Sequence, residues 1–148
     1  MRLDGEWLQC DDGIVRPVIR AEIEAGDGNW RAFELLIDTG ADRTVISANV
    51  LASLSIATTA SPDRIGGVGG QIDTVIVSTR IRLMSDDGRR VAFRSNYAAC
   101  TQLAALDMSV LGRDILEMFT LIVDRQSDVV ALLGGTHGYT VTANQPEA

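Results

Sequence analysis

Alternating apolar and polar residues occupy most of this chain, which is the pattern of β-strands with one buried face. The alternation predicts strands at residues 15–24, 30–37, 72–84, 90–100, 119–123 and 129–133. Turn-forming residues at 26–29, 85–88 and 124–128 separate neighbouring strands, and the Asp87-Gly88 step favours a tight hairpin turn. The pattern therefore predicts three β-hairpins.

Helical patterns are brief. Ser47 is suited to cap the N-terminus of a helix at 48–54, and a second short helix is predicted at 115–118. Residues 55–63, rich in Ser, Thr and Ala, are predicted to form a loop. With 148 residues and no internal repeat, the chain fits a single all-β domain, a barrel or sandwich with one or two short helices.

Composition narrows the range of functions. The chain is 46% hydrophobic and 22% charged, with a net charge of −7. All 13 basic residues are arginines, and they are scattered, so neither a nucleic-acid partner nor an anionic membrane surface is expected. No apolar run has the length of a signal peptide or a membrane span, which predicts a cytoplasmic protein. The absence of lysine fits a bacterial source with a GC-rich genome.

Few residues are suited to metal or nucleophilic chemistry. Cys10 and Cys100 lie outside metal-binding and redox spacings, and Cys100 is predicted to be a buried thiol near the end of a strand. His137, the only histidine, lies in a glycine-rich loop or tail and is predicted to be solvated. The sequence therefore predicts no zinc site and no other cofactor.

Asp38 is the strongest candidate for chemistry. In the run LLIDTGAD at 35–42, an apolar strand leads into a tight turn that holds a carboxylate, a hydroxyl and a glycine. A carboxylate fixed by its surroundings suits acid–base catalysis, although the tripeptide alone fits an Asx turn at a strand end equally well. Paired-carboxylate chemistry needs a second acid, and the chain contains no second Asp-Thr/Ser-Gly sequence.

A glycine cluster forms the second candidate segment. The sequence IGGVGGQ begins at Ile65 and lies between two predicted strands. No lysine or helix follows it, which disfavours a phosphate-binding loop. The segment fits either a flexible hairpin tip whose backbone approaches a ligand or an ordinary hairpin loop.

A third segment, LGRD at 111–114, lies at a predicted strand-to-helix junction. Its Arg113 is placed to pair with a carboxylate such as Asp42, in a bidentate manner if the geometry allows. This pairing would have a structural role, and the segment alone indicates no function.

In this order and spacing, LLIDTGADRTVIS, IGGVGG and SVLGRDIL closely resemble motifs of the retroviral-type aspartic proteases, the retropepsins. The resemblance covers roughly residues 14–133. It implies an all-β, retropepsin-like barrel that acts as a symmetric homodimer, in which the two copies of Asp38 meet at the twofold axis. It also implies an aspartic endopeptidase that cleaves an extended peptide or protein with an activated water, without metal, cofactor or covalent intermediate.

The resemblance implies a role for each motif residue. Thr39 would brace the two carboxylates across the dimer, Gly40 would offer its carbonyl to substrate, and Ala41 and Asp42 would line adjacent subsites. Arg113 would support the turn through Asp42. The remaining support would come from Gly112 and Asp114, with Val110 and Leu111 packed behind the turn. The flap over the peptide would consist of Gly66, Gly67, Val68, Gly69 and Gly70.

The chain departs from the viral pattern in several places. Asp114 stands where viral enzymes tend to carry Asn. An extension at 1–13 precedes the protease domain at 14–134, and a flexible tail is expected at 135–148. The hairpin at 119–133 is longer than a single terminal strand, so we expect the dimer interface there.

Two other functions remain open at this stage. The first is a catalytically inactive module of the same fold that dimerises or binds peptides. The second is a β-barrel that binds a small ligand, which explains the strands but leaves the Asp38 turn and the glycine pattern unexplained.

Overall fold

A computed structural model describes residues 1–67 and 70–146. Within these residues the chain forms eleven strands and two short helices. The strands are β1 (Arg2–Asp4), β2 (Glu6–Gln9), β3 (Val15–Glu24), β4 (Trp30–Ile37), β5 (Val45–Ile46), β6 (Thr59–Gly67), β7 (Gly70–Met84), β8 (Arg90–Cys100), β9 (Val110–Leu111), β10 (Thr120–Asp124) and β11 (Val129–Leu133). The helices are α1 (Ala48–Leu54) and α2 (Arg113–Leu116). The prediction of a mostly-β fold is confirmed.

Eight strands form a sheet that closes on itself. Their order is β2-β3-β4-β9-β5-β8-β7-β6, and β3 also pairs with β7, with Ala21 opposite Leu83 and Ile23 opposite Ile81. Alternate side chains of each strand point inward. The core therefore lies inside the closed sheet, where Ile23, Ile81 and Leu83 have no solvent exposure.

A smaller sheet joins the two ends of the chain, in the order β1-β11-β10. Leu3 of β1 pairs opposite Leu132 of β11, and both side chains are fully buried in the main core. Residues of the predicted N-terminal extension thus form two strands, one paired with β11 and the other, β2, paired with β3. Residues 134–146 contain no helix or strand, and His137 is exposed there as predicted.

The three predicted hairpins are present as β3–β4, β7–β8 and β10–β11. The predicted loop at 55–63 is wrong in its second half, because β6 begins at Thr59. Strand β6 pairs with the first half of the long strand β7, with a register shift between Ala60 and Arg64. Strand β7 offers an open edge with which residues 59–67 can pair, so these residues form a strand although they do not alternate between apolar and polar.

The helix at 48–54 is as predicted, but Ser47 does not cap it through its side chain. Ser47 is buried, and its amide donates at 2.9 Å to the hydroxyl of Ser109, the residue before β9. The second helix lies at Arg113–Leu116 rather than 115–118, because it starts directly after Gly112. No helix in the described part of the chain is long and apolar enough to cross a bilayer.

Candidate active site

The Asp38 turn begins where β4 ends. The Asp38 amide donates to the Leu111 carbonyl at 3.1 Å, and the Gly40 amide donates to Oδ1 of Asp38 at 3.0 Å. The Ala41 amide then donates to the Asp38 carbonyl at 3.2 Å, which closes the turn. The half-buried carboxylate is therefore held by backbone, as the sequence predicted, and keeps its other oxygen for a further partner.

Parallel pairing between β4 and β9 brings two distant motifs together. Leu36 lies opposite Val110, and Ile37 lies opposite Leu111. The segments that follow these strands, the Asp38 turn and the Gly112 segment, therefore lie side by side. Val110 and Leu111 are buried behind the turn, in the position that the sequence indicated.

Gly112 fits where no side chain could. A Cβ at this position would lie 2.8 Å from the Thr44 amide nitrogen and would overlap the carbonyl group of Arg43. The close approach lets the Gly112 amide donate to the Thr44 hydroxyl at 3.1 Å. The next amide, of Arg113, donates to the Ala41 carbonyl at 2.8 Å. The glycine thus allows the two backbone segments to touch.

Arg113 spans the turn from one end to the other. Its guanidinium forms an ion pair with Asp42 and donates through Nη1 to the Thr39 carbonyl at 3.2 Å. The predicted contact between Arg113 and Asp42 is present. Both side chains are exposed, so the pair itself adds on the order of 0–1 kcal/mol of stability. Its effect is to orient the backbone that presents Asp38.

Asp114 is held by hydrogen-bond donors rather than by a cation. Its carboxylate accepts from the Thr44 amide at 3.0 Å and from the Thr44 hydroxyl at 2.7 Å. Both bonds reach Oδ1 of Asp114, and the Ile115 amide, in the first turn of α2, donates to this same oxygen at 3.0 Å. Burial of Tyr97, and then the negative charge of Asp114, raise the pKa of the Tyr97 phenol above its usual range.

Two buried polar residues near the site, Thr44 and Ser109, were not singled out from the sequence, and a third, Ser47, was predicted only as a helix cap. All three are 1% exposed. Ser109 Oγ lies 3.3 Å from Ser47 Oγ, and Thr44 bridges Gly112 and Asp114. The available signal was a hydroxyl residue within or beside an apolar run, such as Ser109 between Met108 and Val110. Whether such a hydroxyl supports the site depends on which strands become neighbours.

The glycine cluster lies at the end of the β6–β7 hairpin. Gly66 pairs opposite Gln71, and Gly67 pairs opposite Gly70, whose φ of 107° is in the region that favours glycine. Val68 and Gly69, which complete the predicted flap, lie outside the described residues. Ile65 packs with Val45 and Val110, so the hairpin approaches the strands that carry the Asp38 turn.

A cleft of about 850 Å³ opens beside Asp38. Leu36 and Val110 line it together with Asp38. Two further segments of the lining, here called its walls, are residues 103–108 before β9 and residues 8–12 at the end of β2 and the start of the β2–β3 turn, together with Arg16. A carboxylate in an open, partly apolar cleft is suited to act on a bound molecule.

Asp12 and Asp87 also accept from the amide two residues further on, as Asp38 does, but each of them is paired with an arginine. Asp12 accepts two hydrogen bonds from Arg16, at 2.9 and 2.7 Å, and this pairing, followed by the Ile14 amide, lowers the pKa of Asp12 to about 2. Asp87 is likewise paired with Arg89, which lowers its pKa. Among residues 1–67 and 70–146, no group of three or more acidic, His or Cys side chains is placed to hold a metal ion.

Comparisons with known proteins cover the same segments. A family model described as retroviral aspartyl protease matches residues 15–123, which include the Asp38 turn and the Gly112 segment. Among solved structures, the EIAV protease complexed with the inhibitor HBY-793 is similar, with a TM-score of 0.50 and 28% sequence identity. That similarity covers 69% of this chain and 86% of the EIAV protease chain. A comparison with curated proteins gave no match.

Proposed function

Because the chain belongs to the retroviral aspartyl protease family, we propose that it is an aspartic endopeptidase whose active site forms between two copies. One observation carries the proposal. The Asp38 carboxylate lines a cleft and accepts a hydrogen bond from the Gly40 amide. The chain has a single Asp-Thr-Gly sequence, so a carboxylate pair requires a second copy related by a twofold axis.

The chemistry follows from repulsion between like charges. Two carboxylates about 3 Å apart do not both ionise readily, so the pair of Asp38 side chains holds one proton. The ionised member takes a proton from a bound water, whose oxygen attacks the carbonyl carbon of the peptide bond. The protonated member donates its proton to the carbonyl oxygen. The tetrahedral intermediate collapses as the C–N bond breaks and the leaving nitrogen gains a proton, which gives an acid and an amine.

The residues around Asp38 have supporting roles. Thr39 braces the pair of carboxylates between copies, and the Gly40 carbonyl accepts from the substrate backbone. Ala41 and Asp42 border the adjacent subsites. Arg113 holds Asp42 and the Thr39 carbonyl, which keeps the turn in one shape. Further structural support comes from Gly112 and Asp114.

The β6–β7 hairpin would act as the flap that closes over the substrate. Its glycines let the backbone approach an extended peptide closely, and closure of the hairpin excludes water from the reaction. The substrate is thus a peptide or protein segment in extended conformation. We assign residues 14–134 to the protease domain, 1–13 to an N-terminal extension and 135–148 to a C-terminal tail.

The edge strand β10 supplies the surface for the second copy. In the three-stranded sheet of the described chain, β11 covers one side of β10 and no strand covers the other. Ile122 and Val123 on this strand are 38% and 42% exposed, and the nearby Met118 is 53% exposed. An open edge with exposed apolar residues favours pairing with another strand. Antiparallel pairing of β10 with its copy would join the two sheets around a twofold axis.

Cleavage assays on the Asp38→Asn variant test this proposal. The variant keeps the size and the Gly40 hydrogen bond of Asp38 but removes the charge. We expect peptide cleavage to fall by more than about 10³-fold, while the protein stays folded and dimeric in sedimentation velocity. The control is Asp86→Asn, in the β7–β8 turn away from the cleft, which should cleave as the unmodified chain does.

Two outcomes would contradict the proposal. Cleavage that persists in a clean Asp38→Asn preparation would show that another group does the chemistry. The unmodified protein could instead be folded and dimeric, cleave no peptide in a broad library and bind no transition-state analogue. This result would favour the inactive dimerisation or peptide-binding module.

A further inference from the structure

The two walls of the Asp38 cleft carry carboxylates that have no structural partner. Asp11 lies in the β2–β3 turn, and Asp107 lies in the segment before β9. Both are exposed, and among the described residues neither accepts a hydrogen bond or joins an ion pair through its side chain. Their neighbour Asp12 differs, because its carboxylate accepts from Arg16 and from the Ile14 amide.

The cleft is therefore negatively charged beyond its proposed catalytic acid. Its lining includes Asp11, Asp12, Asp38 and Asp107 but a single basic residue, Arg16. Arg16 is already engaged by both oxygens of Asp12. Two uncompensated carboxylates thus remain in the lining, Asp11 on one wall segment and Asp107 on the other.

Most of the remaining lining is apolar, apart from Gln9 and Asn49. It includes Leu8, Leu36, Leu103, Leu106, Met108 and Val110. Leu103 is 66% exposed, so its side chain is accessible to a bound molecule. The cleft thus combines apolar side chains with uncompensated carboxylates on its two wall segments, and a peptide that complements it carries both apolar and basic residues.

We propose that this protein selects peptides in which arginine or lysine residues flank the apolar residues at the cleaved bond, with Asp11 and Asp107 as the residues that determine this preference. The inference rests on the proposed function, because it concerns the same cleft. In a twofold dimer each carboxylate occurs twice, so the preference applies on both sides of the bond. Exposed ion pairs are individually weak, and the effect on affinity accumulates over the four carboxylates.

Peptide binding to the Asp38→Asn variant tests the inference without any cleavage. Two fluorescein-labelled octapeptides share a central Phe-Leu pair and carry either arginines or glutamates on both flanks. At an ionic strength of about 0.02 M, we expect fluorescence anisotropy to show about tenfold tighter binding of the arginine peptide. At about 0.5 M the difference should shrink to below about threefold.

The wall residues are then changed in the same background. Asp11→Asn and Asp107→Asn should each lower the preference about two- to fivefold. Asp86→Asn removes the same charge outside the cleft, so it separates the local effect from the net charge of the protein and should leave the preference intact. The inference would be overturned if neither peptide binds, if both bind with equal affinity, or if the glutamate peptide binds more tightly. It would also be overturned if Asp107→Asn and Asp86→Asn change the preference equally.

Cleavage by the unmodified protein separates this inference from the proposed function. If both peptides are cleaved with equal kcat/KM, the charge preference is wrong and the protease assignment stands. If the arginine peptide binds selectively but neither peptide is cleaved, the charge preference stands and the protease assignment is wrong.

Discussion

The backbone amide of Thr44 donates to the carboxylate of Asp114 at 3.0 Å, and the Thr44 hydroxyl donates to it at 2.7 Å. These bonds fasten the first turn of α2 to the chain just beyond the Asp38 turn. Arg113, next to Asp114, reaches back to Asp42 and Thr39. The orientation of the proposed catalytic turn therefore depends on a residue that lies outside the cleft.

Removal of the Asp114 carboxylate should destabilise the protein and disturb the site. Asp114→Ala leaves the Thr44 amide and hydroxyl without their acceptor, and Thr44 is 1% exposed, so we expect a loss of about 1–3 kcal/mol in unfolding free energy. Asp114→Asn retains one acceptor oxygen and should lose less than about 1 kcal/mol. Urea denaturation measures both changes, and equal losses for the two variants would contradict this role.

Gly112 should tolerate no side chain. In Gly112→Ala the added Cβ would overlap the Arg43 carbonyl group and press on the Thr44 amide, which is backbone that cannot rotate away. We expect a loss of about 3 kcal/mol or more, measured by chemical denaturation, together with loss of cleavage. Gly138→Ala is the control, since a Cβ there meets nothing within 4 Å and should change stability by less than about 0.5 kcal/mol. Similar stabilities for the two variants would refute the close approach.

The proposed dimer surface predicts that charge on β10 separates the copies. Val123→Lys places an ammonium on the open strand edge, where it should repel its symmetry mate and oppose strand pairing. We expect the dimer dissociation constant to rise at least about tenfold and cleavage to fall in parallel at low protein concentration. Val141→Lys, in the exposed tail, makes the same chemical change and should leave both properties unchanged. A Val123→Lys protein that sediments as an unaltered dimer would place the interface elsewhere.

Lowering the pH should destabilise the fold, because several carboxylates have a lower pKa in the folded protein than in the unfolded chain. Hydrogen bonds from Arg16 lower the pKa of Asp12 to about 2, and charged or backbone donors lower the pKa of Glu22, Glu24, Asp27, Asp87 and Asp124. In the unfolded chain the pKa values of these carboxyl groups are near 4, so below about pH 4 the unfolded chain binds protons more readily than the folded one. Stability is thus fully present above about pH 5 and is lost as the pH falls toward about 2. Thermal unfolding between these values measures it, and a melting temperature that stays constant down to about pH 2 would be inconsistent with the lowered values.

Much of the barrel is visible in the sequence because its longer strands largely alternate and two of its three hairpin turns carry an Asp-Gly step. The turn at Asp38 and its link to Arg113 were also predictable, since both lie in short motifs. Each of these features depends on neighbours in sequence or on a motif with its own geometry.

Other features depend on which strands become neighbours, and sequence reasoning missed them. Strand β6 lacks alternation and is formed by the pairing edge that β7 offers. The roles of Thr44 and Ser109 appear when the segment around β5 lies against β9 and α2. The pairing of β1 with β11 joins residues at opposite ends of the chain, a separation over which local patterns carry no information.

In the proposed dimer each copy contributes one Asp38 to a shared site, and the activity of mixed dimers tests this arrangement. The unmodified chain and Asp38→Asn are combined in varying ratios, refolded together so that they exchange, and assayed at constant total protein. If the site needs both Asp38 residues, activity follows the square of the unmodified fraction, and an equal mixture retains about one quarter of full activity. Activity that instead falls linearly, to about one half in the equal mixture, would show that one Asp38 suffices and would contradict a site shared between two copies.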